Sequence, residues 1–207
     1  MQRTGLIFLS VLAVAAGITL SRWTATPADT LAMATAYPQP RPLPAFALTD
    51  DEGTPFTGDD LLGRWRLLFF GFTHCPDVCP LTLSLLSRAV APASPDDTPA
   101  AQIVLVSVDP ERDTPERMAA YVARFGEDVV GVTGSAQAIA EFAAAVAIAY
   151  GKVPLGDSGA YTVDHSAAVL VVDPLGRIAA VFNPPPPLVA DVVRADLVVL
   201  KRLADQS

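Results

Sequence analysis

Arg66-Leu67-Leu68-Phe69-Phe70-Gly71-Phe72 runs directly into Thr73-His74-Cys75-Pro76-Asp77-Val78-Cys79-Pro80. The first stretch is a continuous apolar run of the kind that forms a strand covered on both faces. The second is a proline-punctuated turn that carries both cysteines of the chain. A residue before proline avoids the helical region, and proline is favoured at the first helical position. Pro80 is therefore expected to open a helix, with Cys79 as its cap and Cys75 one turn earlier. A helix mouth favours thiolate over thiol.

Downstream of this unit, strands and helices alternate. Ile103–Val108 reads as a second buried strand ending at Asp109-Pro110. Thr114-Pro115-Glu116 supplies a cap, a first-turn proline and an acid for a helix to about Phe125. Val129–Val132 is a short strand, and Ser135 caps an alanine-rich helix to Val146. Ala167–Val172 and Arg177–Phe182 flank the turn Asp173-Pro174-Leu175-Gly176, and Leu188–Leu203 closes the chain as a helix. Upstream, Phe46 and Leu48 precede Asp50-Asp51-Glu52-Gly53, which predicts an early hairpin. The fold class is α/β, a mixed sheet flanked by helices.

The chain has 207 residues and a formal net charge of -8. That length supports one domain with a sizeable core. The acidic balance excludes a nucleic-acid footprint, which is basic. Three segments are expected. Residues 1–23 hold an uncharged, mostly apolar run from Thr4 to Ser21 between Arg3 and Arg22-Trp23, and read as a membrane anchor or signal segment. A cut at Ala32-Met33-Ala34 or Ala34-Thr35-Ala36 is the alternative to a retained anchor. Arg3 places the rest of the chain on the extracytoplasmic, periplasmic side. Residues 24–44, with Pro38, Pro40, Pro42 and Pro44, read as an extended tether. Residues 45–207 form the domain.

Outside the cytoplasm two thiols oxidise unless something keeps them reduced. The loop between Cys75 and Cys79 is too short for a disulfide there to add much stability. Three residues separate the cysteines, against two in a thioredoxin-type redox pair. His165 lies in Tyr161-Thr162-Val163-Asp164-His165-Ser166, after a stretch from Gly151 to Gly159 that reads as a mobile loop. Two thiolates and an imidazole make a ligand set for copper, and zinc fits the same donors. The paired thiols alone are also a redox couple. His74 is read as non-ligating and Asp77 as a turn cap. Asp109, Arg112 and Asp113 read either as a turn with a helix cap or as a docking surface beside the site.

Taken in order, Gly71-Phe72-Thr73-His74-Cys75-Pro76-Asp77-Val78-Cys79-Pro80, Asp109-Pro110-Glu111-Arg112-Asp113-Thr114-Pro115-Glu116 and Tyr161-Thr162-Val163-Asp164-His165-Ser166 give a chain that resembles the Sco/SenC family of membrane-anchored copper-binding proteins. The resemblance runs from about Ala45 to Leu203. It implies a thioredoxin-like fold with an inserted hairpin, and copper held by Cys75, Cys79 and His165. It also implies a partner, cytochrome c oxidase subunit II or another copper-site protein, whose binuclear copper site receives the ion. Asn183 followed by four prolines, Pro184–Pro187, departs from the family pattern before the last helix. Three functions are weighed: a metallochaperone, a thiol–disulfide reductase keeping the partner's cysteines reduced, and a peroxidase. The peroxidase is the weakest, because no Arg or Lys neighbours Cys75 or Cys79 to lower a thiol pKa.

Overall fold

A computed structural model of the chain describes residues 30–92, 94, 100–157, 159–183 and 188–206. The expected anchor over 1–23 and the Pro184–Pro187 run lie outside the described residues. Among the described residues no helix is long and apolar enough to cross a membrane.

The residues from Leu31 onward form one compact unit. Its spine is three parallel strands, β4 (Arg66–Gly71), β5 (Gln102–Ser107) and β6 (Val129–Thr133). Every residue of β4 is buried, as the apolar run from Leu67 to Phe70 demands. Helix α1 (Val78–Val90) follows β4, α2 (Pro115–Val122) follows β5, and α3 (Ala136–Ala145) follows β6. The Thr114 hydroxyl accepts from Arg117 N–H, with Pro115 in the first turn, and Ser135 Oγ accepts from Ala138 N–H. Gly131 allows α2 to lie close on β6, since a Cβ there would stand 2.9 Å from Met118 Cβ.

Antiparallel strands complete both sides. β9 (Val169–Val172) pairs with β4, and β10 (Arg177–Phe182) pairs with β9. At the far side the early hairpin β2 (Ala47–Asp50) and β3 (Pro55–Thr57) joins β6. With β1 (Ala34–Pro42) at one edge, the eight-stranded order is β1-β10-β9-β4-β5-β6-β2-β3. Helix α4 (Ala190–Asp205) packs on α1.

Three expectations are corrected. The stretch read as a tether contains β1 (Ala34–Pro42), an edge strand paired antiparallel with β10. Its prolines are tolerated because an edge strand has one side with no ladder to satisfy, and the register breaks between Ala36 and Arg41. At its start, the N–H groups of Ala32, Met33 and Ala34 all donate to the carboxylate of Asp196 on α4, at 2.7–2.8 Å. Second, α1 begins at Val78, so Cys79 lies inside the first turn instead of capping it. First-turn N–H groups have no intrahelical acceptor, so Pro80 at the third position forfeits no bond. Third, the stretch before His165 is a hairpin, β7 (Tyr150–Pro154) with β8 (Tyr161–His165), forming a separate two-stranded sheet. Of the glycines that suggested mobility, Gly151 lies within β7, and the tip holds Gly156 at φ +67° and Gly159 at φ +77°.

A candidate metal centre at the carboxyl end of β4

The strand ends β4 and β5 open toward the mouth of α1, the place where open α/β sheets gather their chemistry. Cys79 is fully buried there and Cys75 half-buried, both as free thiols. Gly71 makes room for the first of them: a Cβ at Gly71 would stand 3.1 Å from Cys79 Sγ. Cys75 Sγ accepts the backbone N–H of Cys79 at 3.4 Å, so the helix mouth serves the outer sulfur.

His165 comes from the last residue of β8, paired across the hairpin with Tyr150. Its Nε2 stands 3.4 Å from Cys79 Sγ. Nδ1 lies 3.1 Å from the carbonyl of Ser166, an acceptor only, so Nδ1 carries the proton and Nε2 presents a lone pair to the sulfur. Two phenylalanines wall the imidazole. Phe69 meets it edge-on at 5.9 Å between centroids and Phe72 at 6.0 Å with perpendicular planes.

Burial decides the protonation of this pair. It pushes the Cys79 thiol far above the ordinary range, against a hydrogen bond with the Phe72 backbone that pulls the other way. It pulls His165 below its ordinary 6.5, against the Ser166 carbonyl and the Asp164 charge. The resting pair is neutral thiol beside neutral imidazole. The expectation that the helix mouth makes both sulfurs thiolates is therefore corrected for Cys79, because desolvation outweighs the helix end. A metal held by Cys79 would have to displace that thiol's proton.

The three donors are linked through Cys79 and do not form a closed triangle. Among the described residues, the trio whose ligand atoms all lie within 4.8 Å of one another is His74, Asp109 and Asp113. Every carboxylate oxygen in that trio already has a donor. Asp113, fully buried, accepts from Thr73 N–H, the Thr73 hydroxyl and the Ser107 hydroxyl. Asp109, also fully buried, accepts from the Tyr161 hydroxyl at 2.8 Å and from Arg112 Nε. With a guanidinium inside it, this group is a hydrogen-bonded network and not a cation site. His74 belongs to it: Nε2 accepts from Arg117 Nη1 at 2.9 Å and Nδ1 faces Thr73 Oγ1 and Asp113. Asp77 sits at the N-cap position, where its carbonyl accepts from Leu81 N–H and its side chain caps nothing.

Cys75, Cys79 and His165 are thus brought into one neighbourhood. The sequence reading missed the aromatic walls and the part played by Tyr161. Phe69 and Phe72 were legible as strand residues, but which ring they face is set by β8, a partner distant in sequence.

A family model described as SCO1/SenC matches residues 34–195. The chain belongs to the SCO1/SenC family. Human "Protein SCO1 homolog, mitochondrial" is 38% identical over 143 residues, covering 67% of this chain and 46% of that protein. The chain spans about half the length of the mitochondrial relatives it matches. Arabidopsis thaliana ScoI, solved with copper bound, has 34% identity and a TM-score of 0.69 over 77% of this chain and 98% of that one. Bradyrhizobium japonicum ScoI, also solved with copper bound, has 37% identity and a TM-score of 0.64 over 76% and 98%. The thioredoxin-like fold with its inserted hairpin is shared with these SCO1/SenC structures.

Proposed function

We propose that this SCO1/SenC chain binds one copper ion through Cys75, Cys79 and His165 and hands it to the binuclear copper site of cytochrome c oxidase. The observation that carries the reading is the 3.4 Å approach of His165 Nε2 to Cys79 Sγ, with the imidazole's lone pair turned inward. Thiolates select Cu(I) and imidazole suits Cu(II), so the two cysteines hold the reduced ion and His165 completes the site for the oxidised one. Copper in the solved relatives and the family's place in the resemblance support the cargo and the acceptor. The apolar run from Thr4 to Ser21 and the charge of Arg3 support residues 1–23 as an anchor with the domain on the extracytoplasmic side.

The reductase reading is weaker. Thiol–disulfide exchange gives no role to His165, whose Nε2 stands 3.4 Å from Cys79 Sγ. The deciding experiment loads the full chain with Cu(II) and records the sulfur-to-copper charge-transfer bands. One copper per chain is expected, with the bands lost in Cys75→Ala and in Cys79→Ala. His165→Ala should keep Cu(I) and lose Cu(II) affinity by more than the roughly 10–100-fold that removing a ligand's supporting partner costs. An unchanged Cu(II) spectrum and affinity in His165→Ala would sink the ligand assignment.

A further inference from the structure

The hairpin that delivers His165 is tied to the loop after β5 by contacts that metal binding does not use. Tyr161, the first residue of β8, donates its hydroxyl to Asp109 Oδ1 at 2.8 Å. Arg112 Nε donates to the other oxygen of the same buried carboxylate. The same guanidinium donates Nη1 to the Tyr161 carbonyl at 3.1 Å and lies 3.9 Å over the Tyr161 ring. On the outside, Lys152 of β7 pairs with Glu111 at 2.6 Å and lies 4.6 Å from the same ring. Both partners of that outer pair are exposed, so it adds little. The grip belongs to Asp109, Arg112 and Tyr161, where a buried carboxylate meets a charged and an aromatic donor.

A two-stranded hairpin is marginal in water by itself, so an outside hold must set its orientation. β8 runs from Tyr161 directly to His165, and each of its residues is laddered to β7. Fixing Tyr161 therefore fixes the imidazole. The two ends also meet through Phe72, whose ring lies 5.9 Å from the Arg112 guanidinium and 6.0 Å from the His165 ring. Resting on the copper reading above, we propose that Asp109, Arg112 and Tyr161 form a clasp that keeps the hairpin closed over the site, and that its strength sets how fast His165 releases Cu(II). They are positioning residues: none of them contacts the sulfurs. Cu(I), held by the two cysteines, is indifferent to the clasp. Handover of Cu(II) requires it to loosen, and an acceptor that engages this loop can trigger release.

The test compares the full wild-type chain with Tyr161→Phe, which keeps the ring and removes the hydroxyl, and Arg112→Gln, which removes the cation. Stopped-flow transfer of Cu(II) to excess EDTA should accelerate about 10-fold in each, the lower end of the cost of losing a ligand's support. Transfer of Cu(I) to a bathocuproine chelator should stay within about twofold of wild type, as the thiolate grip is untouched. In the metal-free chains, hydrogen exchange should rise for β7 and β8 amides while β4 and β5 amides keep their protection. Cu(II) release at the wild-type rate overturns the proposal. Equal acceleration for both oxidation states, with exchange raised throughout the sheet, also overturns it, since that marks general loosening. His165→Ala is the control for the underlying reading. If it holds Cu(II) as tightly as wild type, the ligand assignment has failed and the kinetic role of the clasp falls with it. Metal-free hydrogen exchange still reports whether the clasp orders the hairpin.

Discussion

His165 and Cys79 are held in their uncharged forms by the same cause, removal from water, and each is then the other's hydrogen-bond partner. That neutrality has a pH consequence. Burial holds the folded-state pKa of His165 below the 6.5 of an unperturbed ring, so between those two values the unfolded chain binds more protons than the folded one. The sign follows: the contribution of this histidine to stability is fully present above about pH 6.5 and is lost as the pH falls through the folded-state value. Urea denaturation of the metal-free chain should show stability declining over that acidic window, less steeply in His165→Ala. In the wild type the His165 ring protons should titrate below pH 6.5 by NMR. A midpoint at or above 6.5 would contradict the buried, neutral imidazole. The candidate site residues themselves were legible in the sequence, since the chain has two cysteines and two histidines and three motifs in order. Their protonation was not. Local sequence shows the helix mouth that lowers a thiol pKa, but not the β4 and hairpin packing that raises it.

Elements were legible wherever a local signal names them: the apolar run of β4, the Thr114 and Ser135 caps, the turn at Asp173–Gly176. The family resemblance implied an inserted hairpin, but local signals read the stretch that forms β7–β8 as a mobile loop, because its glycines are the same residues a loose loop would use. The chain enters that hairpin from the end of α3, and the turn there carries a cost. Ala147 N–H donates to the Ala144 carbonyl and Ile148 N–H to the Ala143 carbonyl, the paired bonds of a Schellman ending. Ala147 takes the left-handed position that glycine normally fills, at φ +61°. A Cβ in that region costs roughly 1–2 kcal/mol. Ala147→Gly relieves it and adds some entropy to the unfolded chain, for a net gain of about 0.5–1 kcal/mol. Thermal denaturation of the metal-free chain checks this as a raised midpoint, and Cu(II) uptake should be unchanged because the turn lies upstream of β7. A lowered midpoint would mean the left-handed turn is not strained.

On the scale of the whole molecule, the domain does not begin where composition changes. The alanine- and proline-rich stretch before Ala45 looks like linker because the rules for linkers are compositional, whereas its place in the sheet depends on β10, well over a hundred residues later. What ties it down is a single buried carboxylate: Asp196, 1% exposed, accepts the N–H groups of Ala32, Met33 and Ala34. A chain beginning at Ala45 would lose β1, leave β10 as an open edge and leave that carboxylate without its three donors. Leaving a buried charge without its partners costs about 3–5 kcal/mol. In urea, the chain from Ala45 should therefore unfold with at least about 3 kcal/mol less stability than the chain from Thr30. Asp196→Leu separates the two losses. In the chain from Thr30 it should destabilise, because three donors lose their acceptor. In the chain from Ala45 it should restore stability, because acceptor and donors are then both gone and removing both partners is close to neutral. Equal stability of the two chains, or a destabilising Asp196→Leu in both, would show that the strand ahead of Ala45 is decoration and that the domain starts where the prolines end.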